Sequence, residues 1–183
     1  MTSTLRTDRL IMRRWTDTDR EPFAALNADP EVMEHFPALL TRAESDAMID
    51  RIEARRAGTG FGFWALEVTA TGEFIGFAGL SVPRFEAHFT PAVEIGWRLA
   101  RSAWGRGYAT EAARRALRHA FDDLALDEVV SFTSVRNLRS RAVMERIGMT
   151  RDESGDFDHP MVPEGHPLRR HVLYRITAPP RAV

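Results

Sequence analysis

The chain has 183 residues, of which 44% are hydrophobic, a size that suits one domain with a sizeable core and leaves no room for a second catalytic domain. Its formal net charge of −1 gives no global field to attract nucleic acid. The longest uncharged apolar stretch, Phe74 to Pro83, is far below the roughly 18 residues of a membrane span, and the N-terminus has no apolar signal core. We therefore expect a cytoplasmic protein that contacts neither nucleic acid nor membrane.

The first part of the chain predicts one strand followed by three helices. Residues Thr4 to Arg14 alternate loosely between apolar and polar, as a strand with one buried face would. N-cap candidates then open a helix from Thr16 to Asn27, and a short helix is expected from Asp29 to Met33. Thr41 and Glu44 have the spacing of a capping box, which predicts a helix reaching about Arg56.

Three strand-like segments come next, covering Phe61 to Val68, Phe74 to Val82 and Val93 to Leu99. A tight turn at Thr71-Gly72 joins the first two. The helix after Gly107 carries alanines at helical spacing on one face, which lets it lie close to a sheet.

The last part predicts two strands and a helix around a long loop. A strand from Glu128 to Ser134 precedes a helix from Leu138 to Ile147, which ends at a glycine. A weak strand is expected at Met149 to Asp152 and a clear one at Arg169 to Ile176. The segment between them, Glu153 to Pro167, is long for a loop and is expected to be functional or mobile.

A pair of glycines, Gly105 and Gly107, lies where the third strand meets the alanine-rich helix. Glycine permits positive φ and close approach of the backbone to a ligand, and the first turn of a helix leaves N–H groups free for an anion. A dinucleotide fingerprint would need a third glycine where Thr110 stands, and a Walker loop needs a lysine, which the chain lacks altogether. The junction thus predicts a phosphate site of another kind.

Four motifs in order along the chain resemble the GNAT N-acetyltransferase superfamily, in particular the branch of Rim-type ribosomal-protein N-terminal acetyltransferases. They are Thr7-Asp8-Arg9-Leu10-x-x-Arg13, Val93-Glu94-Ile95-Gly96-Trp97, the run from Trp104 to Ala112, and Asn137-x-x-Ser140-x-x-x-Met144-Glu145-x-Ile147-Gly148-Met149. The resemblance spans nearly the whole chain.

The resemblance implies an α+β fold in three layers, with a mixed, mostly antiparallel and splayed sheet of about 6–7 strands flanked by helices. Residues 1–183 would form a single acetyltransferase domain. The strands at 93–99 and 128–134 would start parallel and diverge, and acetyl-CoA would lie in the gap with its pyrophosphate at the helix start. The acceptor amine would enter from the other side.

The cofactor contacts implied by the resemblance involve strand, loop and helix residues. They are Trp97, Arg98, Leu99, Gly105, Arg106, Gly107, Tyr108, Ala109, Thr110, Asn137 and Arg141. Trp104 departs from the family pattern, which begins its loop with Gln or Arg, so main-chain N–H groups are expected to hold the pyrophosphate. We expect Trp104 to be a packed aromatic at the strand end, and a helix N-cap is the alternative role for Asn137.

The composition favours direct transfer of the acyl group. Without cysteine or lysine, neither an acyl-cysteine intermediate nor a Schiff base can form, and the six histidines lack metal-ligand spacing, so no metal is expected. Glu94, in an otherwise apolar strand, is the candidate general base; its alternative is an ion pair with an arginine such as Arg98. A bulge in the same strand is expected to free one backbone N–H for the oxyanion.

The candidate acid for the departing thiolate rests on the resemblance. Many family members place a tyrosine seven residues after the asparagine, but here that residue is Met144. Ser140 resembles the serine of the Rim-type branch and is taken as the acid, with a helix-capping role as its alternative.

The acceptor pocket is expected to have aromatic walls, and the long loop to contribute a lid or an alternative base. The candidate wall residues are His35, Phe36, Phe61, Phe63, Trp64 and Trp97, and the loop candidates are His159 and His166. The predicted function is acetylation of a protein N-terminus or a small-molecule amine by a monomer or homodimer. The alternatives are a non-catalytic acyl-CoA-binding module, a transferase of larger acyl groups and a nucleotide-binding regulator.

Overall fold

The computed structural model describes residues 4–180, which fold around one mixed eight-stranded sheet. The strand order is β1-β2-β3-β4-β5-β6-β8-β7. The strands are β1 Leu5–Arg6, β2 Leu10–Arg13, β3 Phe63–Val68, β4 Phe74–Ser81, β5 Glu94–Leu99, β6 Glu128–Ser134, β7 Thr150–Asp158 and β8 Arg170–Thr177.

Helices cover both faces of the sheet, giving the expected three layers. They are α1 Arg20–Asn27, α2 Arg42–Thr59, α3 Tyr108–Arg118, which continues as one π-helical turn, and α4 Leu138–Arg146. One core lies between α1, α2 and the sheet, and a second lies between the sheet and the helices α3 and α4. Within residues 4–180, no helix has both the length and the apolar composition that a membrane crossing requires.

Local signals set the helix positions. The Thr41 hydroxyl accepts from the Glu44 N–H at 3.3 Å and the Glu44 carboxylate accepts from the Thr41 N–H at 2.7 Å, so the predicted capping box starts α2. In α3 the alanines Ala112, Ala113 and Ala116 are fully buried, which brings this helix close to the sheet. That approach places the start of α3 beside the end of β5.

The sheet splits between its two central strands. β5 and β6 are its only parallel neighbours among the described residues and they pair at one position, Glu94 opposite Val130. One step further, the Ser131 hydroxyl donates to the Ile95 carbonyl at 2.9 Å. Beyond this point the strands separate, as the resemblance implied, and leave a gap that opens toward α3 and α4.

Four expectations differ from the structure. A turn at Thr7 divides the single predicted strand 4–14 into β1 and β2, because the Thr7 hydroxyl accepts from the Leu10 N–H at 2.9 Å. The segment 29–33 makes one helical turn, closed by Met33 N–H to Asp29 O, and no helix. β7 runs to Asp158 by pairing with β8 across a register shift, so the predicted loop 153–167 is shorter, and the described sheet has eight strands instead of 6–7.

Candidate active site

A cleft of about 1620 Å³ opens where β5 and β6 separate. It is larger than the roughly 300–1,000 Å³ of ordinary small-molecule pockets, and so has room for a long cosubstrate together with an acceptor. Glu94 lines it from β5, and Ser140 lines it from α4. All the predicted cofactor residues line it as well, except Arg106 and Arg141.

The glycine junction has the backbone that the sequence predicted. Gly105 and Gly107 have φ of +73° and +79°, and Gly107 caps the N-terminus of α3 without a side chain. A 3-10 turn, Arg101–Ala103, lies between β5 and the loop. A Cβ at Gly105 would meet no atom within 4 Å, so the backbone is open to a ligand on this side. Exposed backbone next to the start of an eleven-residue helix fits a pyrophosphate.

Arg9 braces this loop and was not predicted to belong to the site. Its Nη1 donates to the Arg106 carbonyl at 3.0 Å, its guanidinium lies 4.7 Å from the centre of the Tyr108 ring, and its Nε donates to Glu111 at 2.7 Å. Thr7 donates to the other Glu111 oxygen at 2.6 Å. The β1–β2 turn therefore fixes the first turn of α3. The sequence carried Arg9 only as part of a motif of the resemblance, without a role.

Trp104 is the packed aromatic that the sequence predicted. Its indole donates to the Leu99 carbonyl at 2.9 Å and its ring packs against both cores. The Arg139 guanidinium lies 4.4 Å from the centre of this ring. Because the indole N–H of Trp104 is bonded to the Leu99 carbonyl, this side chain has no N–H left to donate to an anion.

β5 presents free backbone to the gap without the expected bulge. Its register with β4 is continuous from Glu94 to Leu99, so the prediction of a bulge was wrong. The Val93 and Ile95 carbonyls face β6, and alternation places the N–H groups of Trp97 and Leu99 on the same side. There β6 has already diverged, so the splay itself leaves these groups without a strand partner.

Glu94 lies at the narrow end of the gap. The hydroxyl of Ser81, its register neighbour on β4, favours the ionised form of the carboxylate and lowers the pKa of Glu94. Burial is the larger effect and raises the pKa of Glu94 to about 7. No ion pair between Glu94 and Arg98 occurs in the described chain, so that alternative was wrong.

Asn137 and Ser140 stand at the start of α4. The Asn137 side chain accepts from the Ser140 N–H at 3.1 Å and donates to the Thr133 hydroxyl at 3.0 Å, so the alternative role of Asn137 as N-cap is confirmed. The Ser140 hydroxyl is not used as a cap, and no protein hydrogen bond to it occurs within residues 4–180. Met144 is 1% exposed and packs in the core.

The two predicted cofactor residues outside the cleft lining have other contacts. Arg141 donates to the Val135 carbonyl at 3.2 Å and to the Tyr174 hydroxyl at 3.4 Å. Arg106 is exposed, and its carbonyl is the group held by Arg9. Contacts of either side chain with the cofactor stay predictions.

The acceptor side of the cleft has part of the predicted wall. His35, Phe36, Phe63 and Trp97 line it. Phe61 and Trp64 do not line it. Alternation along β3 turns Trp64, 1% exposed, into the core on the α3 side, and Phe61, which precedes β3, packs against the same core. The sequence signal for the correct face was present in this alternation.

A pair of histidines lines the cleft from the β7–β8 side of the sheet. His159 and His171 line the cleft with ring centres 4.8 Å apart, beside Phe132 and Phe157. Burial, with a smaller effect of His171, lowers the pKa of His159 to about 4. His166 lies outside the lining, and its ring accepts from the Leu168 N–H at 3.1 Å. Sequence reasoning named His159 and missed His171, which is the second residue of β8.

Residues 4–180 contain no group of three or more His, Asp or Glu side chains that could hold a metal ion.

Comparison with known proteins agrees with this geometry. A family model described as an acetyltransferase (GNAT) domain matches residues 9–150. FsC-acetyl coenzyme A-N(2)-transacetylase of Aspergillus fumigatus is 36% identical over 185 residues, covering 95% of this chain and 76% of that protein.

Solved structures match over nearly the whole length. The crystal structure of an acetyltransferase from Agrobacterium tumefaciens is 32% identical with a TM-score of 0.78, covering 96% of this chain and 95% of that one. The ribosomal-protein α-N-acetyltransferase RimL, solved with coenzyme A, has a TM-score of 0.76 at 16% identity, covering 96% and 98%, and shows the fold alone. The chain belongs to the GNAT acetyltransferase family, whose domains use acetyl-CoA.

Proposed function

We propose that the protein is an acetyl-CoA-dependent N-acetyltransferase that transfers the acyl group directly to a primary amine. The observation that carries this proposal is a single cleft that joins three features: the open glycine loop, a carboxyl group with a pKa near 7, and an uncommitted serine hydroxyl. Acetyl-CoA supplies the activated acyl group.

The loop and β5 would hold the cosubstrate. The N–H groups from Gly105 to Thr110 lie at the positive end of the α3 dipole and would bind the pyrophosphate. The backbone of Trp97 and Leu99 faces the gap and would pair with the amide groups of the pantetheine arm, as a missing strand would. The Trp97 N–H is also the candidate donor to the oxyanion.

Proton transfer would involve Glu94 and Ser140. An amine attacks only as the free base, and Glu94 with a pKa near 7 is a carboxylate in a large fraction of molecules at neutral pH. It accepts the proton that the amine nitrogen loses when the N–C bond forms. The Ser140 hydroxyl donates a proton to the departing sulfur when the C–S bond breaks and regains one from solvent, while Glu94 releases the amine proton to solvent. No covalent relay is needed, since cysteine and lysine are absent.

The acceptor is a protein N-terminus or a small-molecule amine. The motifs of the Rim-type branch favour a peptide. The fungal relative, named as an N(2)-transacetylase, favours transfer to nitrogen. A cytoplasmic location and a monomeric or homodimeric state stay predictions.

The test is release of free thiol from acetyl-CoA with a panel of amines and peptides, followed for the wild type and Ser140→Ala. We expect turnover with some acceptors and a fall in kcat of about 10²-fold or more in the variant, the size of a lost general acid, with acetyl-CoA affinity unchanged. Tight acetyl-CoA binding without turnover on any acceptor would instead favour the non-catalytic binding module.

A further inference from the structure

Arg98 lies on the floor of the acceptor side of the cleft. It shares one face of β5 with Glu94 and Gly96, while Ile95 and Leu99 belong to the core on the opposite face. Its contacts are with residues of the α1–α2 side and not with the glycine loop, although the sequence predicted a cofactor role for it.

Buried polar groups hold the guanidinium in place. Its Nη1 donates to the Asn27 side-chain oxygen at 2.6 Å, and the Asn27 amide in turn donates to the Ser45 hydroxyl at 2.9 Å. Asn27 and Ser45 are both fully buried. A chain of hydrogen bonds through α1 and α2 therefore fixes the orientation of a side chain that would otherwise be flexible.

No carboxylate of the described chain neutralises this cation. Arg98 forms no ion pair within residues 4–180, and its buried Nε has no hydrogen-bond partner there. Burial lowers the pKa of Arg98 to about 10, so the group is charged at neutral pH in surroundings that disfavour its charge. An isolated buried charge is costly unless a counter-ion is supplied.

The surroundings leave room for that counter-ion. The guanidinium carbon lies 4.0 Å from the centre of the Phe36 ring, which is 37% exposed, and 5.5 Å from the centre of the Phe77 ring. Aromatic rings interact with the π-face of a guanidinium, whereas a carboxylate binds the N–H groups at its edge. His35 lines the same chamber, and its buried Nδ1 is a second polar atom without a partner in the described chain. Arginine presents a planar set of donors that matches a carboxylate.

We propose that Arg98 binds a carboxylate of the acceptor, so that the substrate of this enzyme is an amine that also bears a carboxylate. The inference rests on the proposed function and names the substrate class of the same site. Glu94 and Arg98 are four residues apart on one face of a strand, about 13 Å between Cα atoms, and their side chains can bracket one small molecule with the amine at Glu94. The carboxylate belongs to a free amino acid or to an acidic residue near a peptide N-terminus.

The test compares acceptors with and without this carboxylate, in wild type and Arg98→Met, at concentrations corrected for the fraction of free amine. One pair is a free α-amino acid and its α-amide, and the other is a peptide beginning with Asp and its Asn counterpart. For the wild type we expect the carboxylate member of one pair to have a KM at least about 10-fold lower than its amide, which is the effect of one charge-assisted hydrogen bond. The pair that shows this difference tells whether the carboxylate belongs to a free amino acid or to a peptide. Arg98→Met removes this preference and leaves acetyl-CoA affinity unchanged.

Controls separate recognition from folding. Arg98→Lys keeps the charge and should keep part of the preference, and Arg51→Met, at an exposed arginine of α2 outside the cleft, should behave as wild type. Circular dichroism shows whether each variant folds. Calorimetric binding of the same acceptors to the CoA-saturated wild type gives the comparison without turnover.

Two results would overturn the inference. Equal affinity of the wild type for acid and amide in both pairs removes the carboxylate site, even if neutral amines are acetylated and the proposed function holds. A loss of acetyl-CoA affinity in Arg98→Met, with the acceptor preference intact, assigns Arg98 to the cofactor. Absence of any acetylation contradicts the proposed function, while calorimetry still decides the carboxylate site.

Discussion

At the scale of single residues, the proposed role of Glu94 as the general base predicts how activity responds to pH. Burial raises the pKa of Glu94 from 4.5 to about 7, so its carboxylate forms as the pH rises through neutrality. We expect kcat/KM to rise with pH along a limb centred near 7, since kcat/KM reports groups of the free enzyme, to which this pKa belongs. In Glu94→Gln this limb disappears and kcat falls by about 10²- to 10⁴-fold, the usual contribution of a general base.

His159 provides the matched control for this prediction. It lines the same cleft, but its pKa is lowered to about 4, so a base at this position would place the limb three units lower. His159→Asn should keep the limb near 7. If instead this variant loses the limb while Glu94→Gln retains it, the base is the histidine.

At the scale of elements, the proposed binding of pyrophosphate by the glycine loop depends on a backbone conformation with positive φ that other residues avoid. Gly107→Val places a branched side chain at φ +79°, where it meets Arg9 and crowds the N–H groups of α3. We expect acetyl-CoA affinity to fall at least about 10-fold, because a pyrophosphate held by main chain needs close approach. Equilibrium binding of acetyl-CoA measures the change.

Gly72→Val separates strain from recognition. Gly72 has φ +71°, is open on its Cβ side and lies in the β3–β4 turn, outside the cleft. Both variants bear a comparable backbone cost of about 1–2 kcal/mol in the free energy of unfolding. Only Gly107→Val should lose affinity. An equal loss in both variants would mean that the loop is not the pyrophosphate site.

Elements set by local signals could be predicted from the sequence, and those set by distant partners could not. The capping box at Thr41 and the alanine face of α3 depend on neighbours within a few residues, and both are present. By helical spacing alone, Glu111 would pair with Arg115 one turn later on the same helix. It pairs instead with Arg9, 102 residues away, because the β1–β2 turn packs on the helix start.

The same distinction holds for the site. Glu94, Ser140 and the glycines carry motif signals, and the structure brings all of them to one cleft. His171 and Asn27 carried no signal, because pairing of distant strands brings His171 to the cleft and packing of distant elements brings Asn27 to Arg98. The alternation of side chains along β3 could have predicted that Phe63 faces the cleft and Trp64 the core. Their aromatic character alone could not distinguish the two positions.

At the scale of the whole molecule, the sheet consists of two parts with a narrow join. β1 to β5 form one antiparallel part and β6 to β8 the other, and the parallel join pairs at Glu94 and Val130 and is extended by the Ser131 hydroxyl. Helix α3, which packs on β4 and β5, and helix α4 beyond β6 face each other across the gap. A ligand in this gap would contact both parts, so its binding free energy adds to the stability of the whole fold.

We therefore expect CoA to raise the free energy of unfolding of the whole domain. At a free concentration 100-fold above Kd, a ligand that binds only the folded state adds about 2.7 kcal/mol, which for a domain of this size raises Tm by about 5–10 °C. Pantetheine at the same concentration lacks the pyrophosphate and should raise Tm less. Hydrogen exchange should slow in both β5 and β6. CoA in the gap would cover the free backbone of β5 and would also stabilise the short parallel pairing that joins β5 to β6. If CoA protects only the glycine loop and α3 while β5 and β6 exchange as before, the cosubstrate lies outside the gap.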